Sequence, residues 1–401
     1  MIHKIWNTIQ HSILPTKTYM GIEITDYAVK VVLLTNITSK APKLLAYSIE
    51  PLTDKCLDEG KIIDAFRLLQ TLQSAVNRLN VKVKKAHFAL PSPIVMVRFL
   101  KLPNLEKKEM DKLIDFEMQH NIHLPFEQPY FDYLKLSGQS DQSLKKQQSL
   151  MNNATATNEI KEGYQQTAAE SDPLFGLITE KKDDNISIDT ETAPGQMCEV
   201  MLVAAPGERV TEFVDVIRDA QIELTSVEIK PLSLYRTIRK LDDNDTMTHQ
   251  TILLVDLGQM ATDVSIFHDG LLKITRNIYI NFPQANQERA VIDDNDLLSI
   301  LQITGGDNDF NNACNELVHE LERLINFYRY TLNHRDHEFD RVIISGDVER
   351  IDEVRSHLEE RLAREVTMIS CEHIQSSETD LQLVFPSIAT AFGLALRGNM
   401  N

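Results

Sequence analysis

Two apolar segments, more than two hundred residues apart, each end in an acidic turn next to a glycine. They are Met20–Lys30 and Ile252–Asp263, and each pattern predicts a strand, a tight turn and a second strand. Backbone N–H groups in such turns form anion-binding concavities, and a carboxylate at the strand end holds a metal through water. Two hairpins of this kind, one opening each half of the chain, predict a cleft that grips ATP and Mg²⁺ from opposite sides.

The two halves continue in the same way after these turns. After Asp256 the chain predicts a strand, an Asp269-Gly270 hairpin turn and another strand; after Asp26 it predicts strands over 28–35 and 43–49. This duplication is expected of the actin-like ATPase fold. For either hairpin alone, an ordinary surface turn remains the alternative, with Glu23 and Asp256 as turn caps.

Several further segments resemble one family. They are Arg341–Asp347, Phe385–Arg397, Glu199–Pro206, Val227–Leu234 and Ile114–Phe126. In combination they are similar to PilM, the actin-like cytoplasmic protein of type IV pilus assembly. The resemblance runs from about Gly21 to Arg397 with one interruption, and it implies an α/β fold of two duplicated halves with an inserted α/β subdomain in the first half.

The resemblance also implies a nucleotide site. It assigns nucleotide contacts to Gly21, Glu23, Thr25, Lys30, Asp256, Gly258, Gln259, Thr262, Ser345 and Gly346. Glu23 and Asp256 would hold Mg²⁺ through water, and Gln259 is the candidate for orienting a hydrolytic water. ATP with Mg²⁺ is therefore the expected cofactor, and the activity is at most that of a weak ATPase.

Several residues depart from the usual family pattern. Glu23 replaces an Asp, Thr25 stands where Gly is commoner, and Ser345 replaces the first Gly of the adenosine turn. Asp26 adds a negative charge that repels ATP unless Mg²⁺ or Lys30 offsets it. A nucleotide-free interaction scaffold in a pilus, competence or type II secretion system is therefore the alternative. A sugar or acetate kinase is disfavoured because no motif supplies a second-substrate aspartate.

The expected partner is a PilN-like bitopic membrane protein. The resemblance implies that its cytoplasmic N-terminal peptide binds in a groove between the first sheet and the inserted subdomain, lined by Phe99, Phe116, Leu124 and Phe126. Core packing is the alternative for Phe116 and Phe126. The pilus motor ATPase and platform proteins are further candidate partners.

Composition limits the remaining possibilities. A net charge of −18 argues against nucleic acid as a partner. Cys56, Cys198, Cys314 and Cys371 are scattered without a ligand pattern, which indicates reduced thiols and no metal cluster. No apolar run reaches the roughly twenty residues of a membrane span. The expected location is cytoplasmic, with peripheral attachment to the cytoplasmic membrane.

The predicted domain organisation follows the duplication. A first-half core is expected over 18–84 and 223–249, together with the C-terminal residues 386–397. An inserted subdomain is expected over 85–222. It would include the strand His87–Leu90 and a disordered polar loop over 138–196. The second-half core is expected over 250–284 and 316–385, with a small upper subdomain over 285–315 followed by the helix Asn315–Tyr330. Residues 1–17 form an amphipathic segment, which either caps its own domain or lies in a membrane interface.

Overall fold

The computed structural model describes residues 17–52, 56–80, 83–136, 197–242, 246–283, 297–332 and 338–398. The predicted amphipathic segment, apart from residue 17, and the predicted polar loop over 138–196 lie outside the described residues. So do residues 284–296, at the start of the predicted small upper subdomain.

Strands are numbered in chain order. They are β1 (Tyr19–Ile24), β2 (Ala28–Thr35), β3 (Lys43–Pro51), β4 (Leu57–Asp58), β5 (Lys61–Ile62), β6 (Lys85–Leu90), β7 (Met96–Pro103), β8 (Pro129–Lys135), β9 (Met197–Pro206), β10 (Glu223–Ile229), β11 (Thr251–Leu257), β12 (Ala261–His268), β13 (Leu271–Tyr279), β14 (Arg341–Gly346) and β15 (Val366–Met368).

Helices are numbered in the same way. They are α1 (Ala65–Arg78), α2 (Lys107–His120), α3 (Gly207–Asp219), α4 (Lys230–Leu241), α5 (Leu297–Asn326), α6 (Ile351–Leu362) and α7 (Leu381–Leu396). Within the described residues, none of them combines the length and the apolar content that crossing a bilayer requires.

The two halves contain sheets of the same topology. The first sheet has the order β3-β2-β1-β6-β10, and the second has the order β13-β12-β11-β14-β15. In each, three antiparallel strands continue into two parallel ones. Strands buried on both faces have near-continuous apolar runs, and in β2 and β11 every residue is buried. The predicted duplication of the chain into two halves is confirmed.

The C-terminal helix α7 joins the two sheets. It contacts β1, β2, β6, β14 and α4, and most of its residues are buried. Two glycines permit the close approach: a Cβ on Gly21 would lie 2.0 Å from the main-chain oxygen of Ala391, and one on Gly393 would lie 2.0 Å from that of Ser233. Gly21 therefore serves helix packing in this structure, and its predicted contact with nucleotide stays a prediction.

The inserted subdomain is smaller than predicted. It contains the sheet β7-β9-β8, covered by α2, whose buried Met110 and Ile114 face it. The strand containing His87–Leu90 was assigned to this subdomain from sequence, but it pairs in parallel with β1 and β10 of the first sheet. Its apolar side chains belong to the core of the first half, where Phe88 lies 5.7 Å from Phe213 between ring centroids.

The long helix of the second half begins earlier than predicted. The helix expected over Asn315–Tyr330 begins at Leu297 and ends at Asn326, and a π-helical turn, Phe327–Thr331, follows it. Residues 297–315, predicted to belong to a small upper subdomain, thus form the first part of α5.

A buried ionic group lies beneath α7 in the first half. Glu228 accepts hydrogen bonds from Arg236 at 2.7 and 2.8 Å and from Arg397 at 2.9 Å. Nearby, Nδ1 of His87 lies 2.7 Å from Oγ of Ser226. These contacts tie β10 to α4 and to the end of α7.

Candidate functional site

The turn of the first hairpin is closed by its own threonine. The N–H of Thr25 donates to the carbonyl of Ala28 at 3.0 Å. The Oγ1 of Thr25 accepts from the N–H groups of Tyr27 at 3.3 Å and Ala28 at 3.0 Å. Because these two N–H groups already have partners within the turn, they are not free to bind a phosphate.

The second hairpin uses glycine for close backbone approach. The N–H of Gly258 donates to the carbonyl of Ala261 at 3.1 Å, and a Cβ on Gly258 would lie 2.4 Å from that oxygen. Gly346, at the end of β14, has a φ of 125°, and its Cβ would lie 2.1 Å from the oxygen of Leu257. Both glycines are needed for main-chain packing at this edge.

Charged residues occupy matching positions in the two hairpins. Glu23 on β1 lies opposite Lys30 on β2, and Asp256 on β11 lies opposite Asp263 on β12. Ser345 on β14 pairs with Asp256 across the parallel ladder. The duplicated topology therefore directs these side chains from both halves toward the same cleft.

Lys230, the first residue of α4, lies at the centre of this cleft. Its Nζ is 2.9 Å from Oδ2 of Asp256, 2.9 Å from Oδ2 of Asp263 and 3.4 Å from Oε1 of Glu23. Only 12% of its side chain is exposed. One ammonium group thus bridges carboxylates of both halves.

A second lysine extends this ion-pair network. Lys30 Nζ lies 2.7 Å from Oδ2 of Asp347 and 3.4 Å from Oε2 of Glu23. Asp347, directly after β14, also accepts a short hydrogen bond from Ser387 of α7. The network therefore links the first hairpin, the second half and the C-terminal helix.

Neutral donors complete the carboxylate contacts of the second half. Asp263 accepts hydrogen bonds from Ser92 at 2.8 Å and from Asn277 at 2.7 Å, and Asp256 accepts one from Ser345 at 2.9 Å. By contrast, Oε2 of Glu23 is buried without a hydrogen-bond partner.

These contacts decide the charge state of the network. Burial opposes the charge on Lys230, yet Asp256, Asp263 and Glu23 raise its pKa well above the ordinary value. Burial also opposes ionisation of Asp256, but Lys230 and Lys30 hold the pKa of Asp256 below its ordinary value. Burial raises the pKa of Glu23, and the two lysines offset this only in part.

The residues present do not fit Mg²⁺ between Glu23 and Asp256. The Lys230 ammonium bridges these two carboxylates, where the metal was expected. Among the described residues, no group of three or more His, Cys, Asp or Glu side chains is arranged to hold a metal ion. The cavity between the hairpins is small, with a volume of about 40 Å³.

The other predicted nucleotide contacts fall into two groups. Thr25, Gly258 and Gln259 line the small cavity beside Asp256, and Gln259 donates from Nε2 to the carbonyl of Asp347 at 3.3 Å. Thr262 and Ser345 are fully buried within their strands. Nucleotide binding by these residues stays a prediction.

Sequence reasoning missed three members of the network, namely Lys230, Asp263 and Asp347. Asp263 was predictable, because the turn between β11 and β12 sets it opposite Asp256. For Lys230 the available signal was a charged residue inside the apolar run Val227–Leu234. No local pattern distinguished Asp347.

A larger open cavity adjoins the network. Its volume is about 440 Å³, within the usual range of small-ligand sites. Asp26, Ser92 and Asn277 line both cavities. Val97 and Tyr279 supply part of its apolar wall.

The predicted partner contacts differ in burial, and partner binding by them stays a prediction. Phe99 on β7 is half-buried against the core that both halves share. Phe116 on α2 is 45% exposed and stacks on His120 with ring centroids 4.3 Å apart. Leu124 and Phe126 are half-buried in the loop after α2.

Comparison with known proteins supports the expected resemblance. Residues 21–172 match the family model described as type IV pilus assembly protein PilM. No curated protein matches the chain.

Similar solved structures cover nearly the whole chain. A chain of a PilM-PilN type IV pilus biogenesis complex superposes with a TM-score of 0.69 at 20% identity, covering 96% of this chain and 100% of that chain. The ethanolamine utilization protein EutJ from Carboxydothermus hydrogenoformans gives 0.49 at 12% identity, covering 96% and 91%. MreB5 of Spiroplasma citri, bound to ADP, gives 0.43 at 9% identity, covering 94% and 95%. The chain has the actin-like ATPase fold, and the resemblance to PilM expected from its sequence is confirmed.

Proposed function

We propose that this chain is an actin-like scaffold of the type IV pilus inner-membrane assembly platform that binds the cytoplasmic N-terminal peptide of a PilN-like membrane protein. The observation that carries the proposal is the superposition over the whole length of a chain from a PilM-PilN complex. The family match over residues 21–172 agrees with it.

Exposed apolar side chains lie on both the first half and the inserted subdomain. Ile63 and Phe66, next to β5 and at the start of α1, are 51% and 69% exposed. Tyr130 of β8 and Phe116 of α2 are 44% and 45% exposed on the inserted subdomain. Helix α3 contacts α1 and β5, next to Ile63 and Phe66, and it also contacts β8, which carries Tyr130. Exposed apolar anchors of this kind suit capture of a short peptide.

Peptide binding to the full chain tests this proposal. Titrate a fluorescent peptide from the N-terminus of the PilN-like partner with the wild type, Phe66→Ser and Phe116→Ser. An aromatic anchor buried by the peptide contributes about 1.5–3 kcal/mol, so each variant should bind roughly 10- to 100-fold more weakly. Tyr330→Ser, which alters an equally exposed aromatic in the second half, serves as the matched control. Equal binding by all four proteins would contradict the proposed surface.

Peripheral attachment to the cytoplasmic membrane follows from this partner. A peptide whose protein is anchored in the membrane holds the scaffold there, and contacts with the pilus motor ATPase and platform proteins would be made from that position. Fractionation of cells with and without the PilN-like protein checks this. Undiminished membrane association without the partner would overturn it.

The ATP-binding and nucleotide-free versions of the scaffold differ at Lys230. The ATP-binding version needs the ammonium to leave Asp256 and Glu23, whereas the nucleotide-free version needs no rearrangement, and we favour it for that reason. If ATP binds, a hundredfold excess over its Kd should stabilise the folded chain by about 2.7 kcal/mol. Thermal melting with and without millimolar Mg-ATP separates the two versions.

A further inference from the structure

An exposed leucine marks the first turn of the C-terminal helix α7. Leu383 is 84% exposed, the largest exposure among the exposed large apolar side chains of the described residues. Its neighbours in the same turn, Leu381 and Val384, pack into the core that both halves share. Because burying a leucine is favourable, this side chain offers an apolar contact to any segment that covers it.

Two acidic residues lie next to this leucine. Glu378 and Asp380, directly before α7, are both exposed. The N–H of Leu383 donates to the carbonyl of Asp380 at 3.1 Å, so the two residues are one helical turn apart. Burial, and next the negative charges of Glu378 and Asp380, raise the pKa of Tyr47 on β3, which places both carboxylates near this strand. Glu378, Asp380 and Leu383 thus form one acidic and apolar surface, the Leu383 surface.

The described chain enters the fold near the loop that leads to this surface. The carbonyl of Lys17 accepts a hydrogen bond from Oγ1 of Thr35 at 3.1 Å, and Thr35 pairs with Lys43 of β3. Lys43 in turn forms a bridge with Gln375, whose carbonyl accepts from the N–H of Leu44 at 2.8 Å. Since neighbouring strands lie about 4.8 Å apart, Lys17 is within about 15 Å of Gln375.

The residues before Lys17 have the chemistry that complements the Leu383 surface. Residues 1–16 contain Lys4 and no Asp or Glu, and their apolar residues include Trp6 and four isoleucines. Sixteen residues span up to about 50 Å when extended, whereas the eight residues from Gln375 to Leu383 span at most about 28 Å. The Leu383 surface therefore lies within reach of this segment.

We propose that residues 1–16 dock on the Leu383 surface of the same chain, with apolar side chains of the segment covering Leu383 and Lys4 facing the two carboxylates. Of the two alternatives for the amphipathic segment, contact with its own fold or with a membrane interface, the proposal selects the first. It does not depend on the PilN-like partner, because no residue of the proposed peptide surface takes part.

The fluorescence of Trp6 tests this docking in the full chain, without lipid or partner. Trp6 is the only tryptophan, so its emission maximum and its quenching by acrylamide report on this segment alone. In the wild type the emission should be blue-shifted and protected from quenching. Leu383→Ser should weaken docking by roughly 10- to 100-fold and shift the emission to the red.

A charge variant tests the electrostatic part of the contact. Glu378→Lys should also reduce the protection of Trp6, and its difference from the wild type should shrink at about 1 M NaCl, where charges are screened. Combining it with Leu383→Ser should leave Trp6 as accessible as in the unfolded chain. Leu332→Ser and Glu360→Lys, which alter an exposed leucine and an exposed glutamate of the second half, are the matched controls and should keep the wild-type signal.

Four outcomes would overturn the proposal. Trp6 that is as accessible in the wild type as in the double variant would mean that the segment does not dock. Protection that survives in a folded double variant would place the segment elsewhere on the chain. Protection that disappears on dilution would mean docking on a second copy. A blue shift that appears only with phosphatidylglycerol vesicles would identify the membrane interface as its binding site.

Discussion

His87 should make the stability of the first half depend on pH. Burial, and next the positive charge of Arg397, lower its pKa from 6.5 to about 4. His87 is only 3% exposed and lies 2.7 Å from Ser226. Between these pKa values the unfolded chain binds the proton and the folded chain does not. The contribution of His87 to the free energy of unfolding is therefore fully present above about pH 6.5 and is lost as the pH falls toward 4. At 1.36 kcal/mol for each pKa unit, the loss attributable to His87 is about 3 kcal/mol.

Urea midpoints of the wild type and His87→Gln, measured by circular dichroism from pH 7 to about pH 4, check this value. The glutamine amide still reaches a hydrogen-bond partner but does not titrate, so the midpoint of His87→Gln should fall less on acidification. His319→Gln, at an exposed position of α5, should keep the wild-type profile. If His87→Gln loses as much stability as the wild type over this range, the reasoning is refuted.

Four further substitutions, with Glu223→Ala as a control, test the packing and the ion pairs by urea unfolding at pH 7. Glu228→Ala removes the buried carboxylate that accepts hydrogen bonds from Arg236 and Arg397 and should cost about 3–5 kcal/mol; Glu223→Ala, which breaks an exposed pair, should stay within about 0.5 kcal/mol, and similar losses in both would contradict this. Gly21→Ala forces a methyl group against the backbone of α7 and should cost about 1–3 kcal/mol, whereas an unchanged midpoint would mean that α7 can shift. Asp256→Asn should cost about 3 kcal/mol or more and Glu23→Gln should cost less, because the two lysines hold the pKa of Asp256 below its ordinary value despite burial, whereas burial raises the pKa of Glu23; the reverse order would refute this reasoning.

Much of the fold was predictable because its signals are local. The strand–turn–strand patterns around Gly21 and Gly258 depend on residues only a few positions apart, and they correctly indicated two duplicated halves. A strand that does not belong to a hairpin was harder to assign to one of the sheets. The strand Lys85–Leu90 carries the apolar pattern of a buried strand, but nothing in that pattern says which sheet it joins. Likewise, the start of α5 at Leu297 was missed, although Asp296 directly before it is a residue type that favours a helix N-cap.

In the candidate site, too, residues with local signals were predictable and contacts between distant segments were not. The sequence identified Glu23, Lys30 and Asp256, since each belongs to a hairpin whose register follows from its turn. The resemblance also assigned Gly21 to the nucleotide site, and only the structure showed that a side chain at this position would meet the backbone of α7.

The sequence by itself therefore determined the paired hairpins, the duplicated halves and the resemblance to PilM. Only the tertiary structure decided that Lys230 bridges Asp256 and Glu23 and that Lys30 reaches Asp347. The physical reason is that hairpin pairing follows from short-range backbone geometry and side-chain alternation. The distance between two charges far apart in the chain depends instead on how α4, α7 and both sheets pack around them.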